Sequence, residues 1–162
     1  MSIKTVQNTH KTAQLRELHN ALVEIVGEMN RPQRDEAMIR AADITLERAL
    51  FPLLVLVERL GPIGVVELAD RVGRDHTTVS RQIAKLESSG LVQRQEGVKD
   101  RRVKMAVITK SGKAMTDKVD QARKKMGEAI FRHWEEQDVA DLVRLMRKFA
   151  DDMKSAPVGQ GE

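Results

Sequence analysis

Between Gly64 and Thr109 the apolar residues change their period, and that change most narrows the folds open to this chain. Val65, Leu68, Ala69 and Val72 recur at helical spacing and make a short amphipathic helix from about Gly64. Val72-Gly73-Arg74 supplies a turn, with glycine where a positive φ is wanted. Asp75 stands as the N-cap of another helix, which runs to about Ser88 and is stopped by Gly90. Two helices joined by a glycine-containing turn make a helix-turn-helix pattern. Leu91 to Glu96 and Val103 to Thr109 then read as strands. In the second, Val103, Met105 and Val107 alternate with Lys104, Ala106 and Ile108. Gly97-Val98-Lys99-Asp100-Arg101-Arg102 is left between them as a polar, basic hairpin tip.

The net charge of +4 falls entirely in this region. From Arg74 to Lys104 eight basic residues stand against four acidic ones, while the other 131 residues hold 20 of each. A solvated charged face needs no such concentration, whereas phosphate binding does. On the helix from Asp75 to Ser88, the residues Val79, Ile83 and Leu86 share the face that must enter the core. Thr77, Arg81 and Ser88 lie opposite, with Thr78 and Lys85 beside them. That outward face offers hydroxyls, a guanidinium and an ammonium, and no carboxylate. Arginine pairs bidentately with guanine, threonine offers a hydroxyl and a methyl, and Gln82 reaches toward adenine from the flank. His76 and the helix N-terminus are placed to touch a nucleic-acid backbone.

For the helix alone a solvated polar face is the competing reading, and the hairpin tip weighs against it. Lys99, Arg101 and Arg102 around one carboxylate are a poor way to stabilise an isolated turn. They are a good way to present arginine to a narrow, electronegative minor groove. Asp100, two residues before Arg102, is expected to pair with a guanidinium and fix its direction.

The flanks are helical. Leu15, Leu18, Leu22, Ile25, Val26 and Met29 mark a helix from about Thr12 to Asn30, ended at Arg31-Pro32. Gln33 to Ala42 reads as a short helix or a loop. A second helix is expected from Asp43 or Thr45 to Leu60, with Pro52 breaking or kinking it near Ala49–Phe51, and Gly61-Pro62 closes it. Thr109 caps a long helix from Lys110 to about Trp134. A last helix, Glu136 to Met153, carries Val139, Leu142, Leu145, Met146, Phe149 and Met153 on one stripe. The tail over 154–162 is expected to be disordered. These stripes could pack as a monomeric core. The small central domain has too little surface to cover them, which favours burial between two copies, with Leu15, Leu18, Leu22, Ile25, Leu142, Leu145, Met146 and Phe149 in the interface.

Other classes lose ground on inventory. There is no Cys, so no disulfide, thiolate metal site or thiol chemistry is available. His10, His19, His76 and His133 lack metal-binding spacing, and no metal or cofactor is expected. The sequence holds no glycine-rich phosphate loop, G-x-S-x-G elbow or H-E-x-x-H motif, so no catalytic residues are expected. Trp134 reads as a packing anchor and Arg123-Lys124-Lys125 as a solvated face. No signal-type or membrane-spanning run occurs, which makes a cytoplasmic protein the default.

Gly61-Pro62, Val66-Glu67-Leu68-Ala69, Thr77-Thr78-Val79-Ser80-Arg81, Lys85-Leu86-Glu87, Gly90-Leu91-Val92, Asp100-Arg101-Arg102 and Thr109-Lys110-Ser111-Gly112 occur in that order. Together they resemble the MarR family of bacterial transcriptional regulators, densely from about Leu53 to Met115. The resemblance implies a mostly α fold with a small β-hairpin wing. A winged helix-turn-helix DNA-binding domain is expected over 46–112, and a helical dimerisation domain over 10–42 and 113–153. It also implies an obligate homodimer, triangular in outline, on a pseudo-palindromic double-stranded DNA operator. The recognition helix would enter the major groove and the wing the adjacent minor groove. Carried over by motif, Thr77, Thr78, Ser80 and Arg81 fall on the recognition helix, and Asp100 and Arg102 in the wing. The expected DNA-binding set adds Arg74, His76, Gln82 and Lys85 on the helix side and Lys99 and Arg101 in the wing. Many members are repressors released by small anionic or phenolic ligands. The chain departs from the family at Leu50, where glutamine is common, with Pro52 close behind. A winged helix used as a protein-interaction module is the rival reading.

Overall fold

The computed structural model describes residues 3–156, and among them lie seven α-helices and one three-stranded antiparallel sheet. The order is α1 (Ile3–Met29), α2 (Pro32–Ala41), α3 (Phe51–Leu60), β1 (Ile63–Gly64), α4 (Val65–Val72), α5 (His76–Ser88), β2 (Val92–Glu96), β3 (Lys104–Ile108), α6 (Lys110–Ile130) and α7 (Glu136–Ser155). The chain divides into two compact units, Met1–Ala122 and Arg123–Glu162, with the division inside α6.

In the first unit α1 begins well before Thr12, because neither glycine nor proline interrupts the chain from Ile3 to Val26. Arg31 is extended (φ −67°, ψ 125°), as a residue before proline must be, and Pro32 opens α2. The helix expected from Asp43 or Thr45 does not form. Asp43 takes a positive φ of 50°, a conformation aspartate tolerates and a helix does not, so neither residue is an N-cap. Instead a 3-10 turn at Arg48–Leu50 leads into α3, and Pro52 sits in the first turn of α3, where its missing N–H costs nothing to the helix. The break expected near Ala49–Phe51 is therefore a helix start.

The helix-turn-helix and hairpin follow the sequence closely. Gly73 occupies the left-handed region at φ 64° between α4 and α5. Strand β3 is the centre of the sheet, with β2 paired from Val92↔Ile108 to Glu96↔Lys104. On its other edge β1 pairs Ile63 with Ala106 and Gly64 with Met105. The sequence held no signal for β1, since two residues cannot show an alternation. The core gathers Leu53, Leu54 and Val57 of α3, Ile63, Leu68, Val79, Ile83, Leu86 and Val92, all essentially inaccessible. Each such side chain stabilises the fold by roughly 1.5–3 kcal/mol relative to exposure. A second, smaller cluster packs Phe51 and Ala42 against Val119 and Ala122 of α6.

In the second unit α6 ends at Ile130 rather than near Trp134. A turn follows, in which the Trp134 N–H donates to the Phe131 carbonyl (3.0 Å) and the two rings meet edge to face at 5.2 Å. Helix α7 runs through Ser155, so the expected disordered tail does not begin at 154. Residues 157–162 of that tail lie outside the described residues.

Candidate nucleic-acid interface

Helix α5 is fixed at its start by Asp75. One carboxylate oxygen accepts from the Thr78 N–H (2.8 Å) and the other from the Thr78 hydroxyl (2.5 Å). The Thr78 hydroxyl first, and its backbone N–H second, hold the Asp75 carboxyl below the usual aspartate range. Val79, Ile83 and Leu86 are buried, which turns Thr77 and Arg81 outward, both exposed. The side chains of Thr77 and Arg81 meet no hydrogen-bond or ion-pair partner among the described residues. His76 is exposed, its Nε2 3.9 Å from Asp70 Oδ1. Ser80 offers its backbone carbonyl to Arg94 Nη2 at 3.3 Å, a bond from β2 onto α5.

The hairpin tip is closed by its own backbone. The Gly97 N–H donates to the Val103 carbonyl (2.9 Å) and the Val103 N–H to the Asp100 carbonyl (3.1 Å). Asp100 does not pair with the Arg102 guanidinium as the sequence suggested. Its carboxylate accepts from the Arg102 backbone N–H at 2.9 Å, the local bond of an Asx turn, because the turn brings that N–H closer than the long side chain. Asp100 thus shapes the tip, and the Arg102 guanidinium is left open. Lys99, Asp100, Arg101 and Arg102 are all exposed.

The eight cations between Arg74 and Lys104 fall into two equal sets. Lys85 pairs with Glu47 (3.0 Å), Arg94 with Glu87 (3.3 Å) and Lys104 with Glu96 (3.5 Å). Arg74 turns inward: its Nη1 donates to the Ala49 carbonyl (2.7 Å) and to Gln82 Oε1 (3.0 Å). This inward course, and the engagement of Gln82, carried no sequence signal, since they depend on the 3-10 turn some 25 residues earlier. Arg81, Lys99, Arg101 and Arg102 have no partner among the described residues. The window's four carboxylates are all occupied, Asp75 and Asp100 by backbone N–H groups and Glu87 and Glu96 by cations. The cations without a partner therefore sit on one helix face and one hairpin tip.

Two further features bear on function. A cleft of ≈ 520 Å³ opens between α2, α3 and α4, where Arg48, Arg71, Arg74 and Asp35 meet Phe51, Pro52 and Val55. Burial pushes the Asp35 carboxyl up, against the opposing pull of Arg48 and Arg74. The interface candidates on α1, namely Leu15 (58%), Leu18 and Ile25, are exposed, and Leu22 is half-buried. On α7, which buries no residue, Leu145 (51%) and Met146 are exposed and Leu142 and Phe149 half-buried. Among the described residues no cluster of three or more metal-ligating side chains occurs, and no helix is long and apolar enough to cross a membrane.

Known proteins resemble the chain in sequence and in fold. The family model described as the MarR family matches residues 46–104. The chain is 35% identical over 106 residues to YxaD of Bacillus subtilis, an HTH-type transcriptional regulator, which covers 64% of this chain and 74% of that one. Its fold is similar to that of a MarR family protein from Bacillus stearothermophilus (TM-score 0.69, 20% identity, 88% and 97% of the two chains). It is likewise similar to the transcriptional regulator BldR from Sulfolobus solfataricus (TM-score 0.64, 21% identity, 88% and 98%).

Proposed function

The chain belongs to the MarR family of transcriptional regulators, and from that premise we propose that two copies of it bind a pseudo-palindromic operator and repress transcription. In this reading α5 enters the major groove and the β2–β3 wing the neighbouring minor groove. The observation that carries it is the partition of the cations. Three are paired with carboxylates and Arg74 is hydrogen-bonded to neutral oxygens within the fold, while Arg81, Lys99, Arg101 and Arg102 are held out to solvent with the window's four carboxylates already engaged. Arg81, with Thr77 beside it, reads base edges; Lys99 and the wing arginines meet phosphates and the minor groove. His76, Thr78, Ser80 and Lys85 lie on the same helix as auxiliary contacts, with Lys85 exchanging Glu47 for a phosphate.

A second copy is called for by α1 and α7, each of which carries an apolar stripe that its own unit leaves exposed or half-buried. An isolated protomer would present large apolar faces to water, and a two-fold dimer covers both while matching the symmetry of a palindrome. In the same reading a small anionic or phenolic effector releases the DNA by entering the cleft of Arg48, Arg71 and Arg74 over its apolar floor, displacing Glu36 from Arg48 and Glu67 from Arg71.

Footprinting on the DNA upstream of the protein's own gene tests the reading. Two protected half-sites with centres about one helical turn apart are expected, with protection lost steeply as salt rises. Salicylate in the same assay probes release. A featureless footprint, or binding untouched by Arg81→Ala and Arg102→Ala together, would hand the case to a protein-interaction module.

A further inference from the structure

Arg74 is the cation in the charged window that the fold takes in rather than holds out. It is half-buried, and its Nη1 bridges the Ala49 carbonyl and Gln82 Oε1. Ala49 lies in the 3-10 turn Arg48–Leu50, where a carbonyl bonds the N–H three residues on. Glu47 and Arg48 do so, to Leu50 and Phe51. For Ala49 the residue three on is Pro52, which has no N–H. The proline that opens α3 thus denies Ala49 its ordinary donor, and a guanidinium from the helix-turn-helix fills the place.

The same contact settles the orientation of Gln82. Arginine only donates, so the amide oxygen of Gln82 must face it, and the amide nitrogen is the free end. Gln82 belongs to α5, one residue after Arg81, and Lys85 on the next turn reaches Glu47 just ahead of the same 3-10 turn.

We infer that Arg74 is a positioning residue: it takes the carbonyl that Pro52 leaves without a donor, turns the Gln82 amide, and so sets the pose of the recognition helix without contacting DNA. This inference rests on the DNA-binding reading above. With its oxygen occupied, Gln82 offers donors, which suit N7 and O6 of guanine better than the mixed edge of adenine suggested by sequence.

The test uses the full-length protein and two readouts. In unfolding experiments without DNA, the Arg74→Ala/Gln82→Ala double variant loses less stability than the sum of the single variants. Pro52→Ala, which returns an N–H to compete for Ala49, reduces the cost of Arg74→Ala. On the footprinted DNA fragment, Arg74→Ala lowers the ratio of specific to random-sequence binding roughly tenfold and leaves the salt slope unchanged. Lys99→Ala, by contrast, flattens the slope by about one per protomer, as a lost phosphate contact does. Additive stabilities in both cycles, or a slope flattened by Arg74→Ala as much as by Lys99→Ala, would overturn the inference. A wild-type protein with no sequence preference would instead sink the DNA-binding reading, and the two cycles would then decide by themselves whether Arg74 ties Ala49 to Gln82.

Discussion

Arg81 and Lys99 carry the same charge and are assigned different tasks, which substitution separates. Arg81 stands on the exposed face of a helix whose other face is locked in the core, so the direction in which its side chain leaves the helix is set. Arg81→Ala is predicted to cost about 1–3 kcal/mol of discrimination at one base pair per half-site, read by competition between matched and mismatched duplexes. Lys99→Ala weakens binding to all sequences about evenly. Two aspartates give a pH signature of opposite signs. The Asp75 carboxyl is held low by Thr78, so its contribution is present above the unfolded pKa and lost as pH falls through the folded one. Asp75→Asn keeps a capping oxygen, and its deficit in denaturation midpoint closes in acid. Asp35 is pushed up by burial, so its favourable contribution exists only in acid and is lost as pH rises through the folded value. Asp35→Asn is therefore predicted to raise the midpoint at pH 7, with the gain fading below about pH 4.

At the scale of elements, the join between wing and α6 leaves no room for a side chain at Gly112. Thr109 donates its hydroxyl to the Gly90 carbonyl (2.6 Å) and accepts from the Gly112 N–H (3.0 Å), while its own N–H donates to Leu91 (3.1 Å). This draws Gly112 so near that a Cβ there would stand 2.1 Å from the Leu91 carbonyl oxygen. Gly112→Ala is predicted to destabilise by about 3 kcal/mol or more, measured by urea unfolding, because backbone and not a flexible side chain must move. Leu86→Ala, at the centre of the core, is expected to cost about 2–5 kcal/mol. The elements legible in the sequence were those with local punctuation: Gly73, Asp75, Gly90 and Thr109 all stand where their chemistry places them. Elements set by distant contacts were not legible. Asp43 reads as a cap and instead takes a left-handed conformation, and Pro52 reads as a break and instead opens a helix. Strand β1 exists only because β3 offers it an edge, and the ties of Arg74 and Lys85 reach a turn whose existence the sequence did not announce.

At the scale of the whole molecule, two copies are needed to read both halves of an inverted repeat. Leu145→Glu places a charge on the exposed stripe of α7, a helix with no buried residue in its own chain, so the protomer should keep its helical circular dichroism. Sedimentation should show monomers, and operator affinity should fall roughly 10²–10⁴-fold as the second half-site is lost. The most direct measurement is selection of bound duplexes from a random DNA pool by the wild-type protein and by Arg81→Ala. The account predicts that the wild type enriches an inverted repeat with half-sites about one helical turn apart, and that Arg81→Ala loses the preference at one position in each half while still binding DNA. A wild-type pool with no enriched repeat, or an Arg81→Ala pool identical to it, would contradict it.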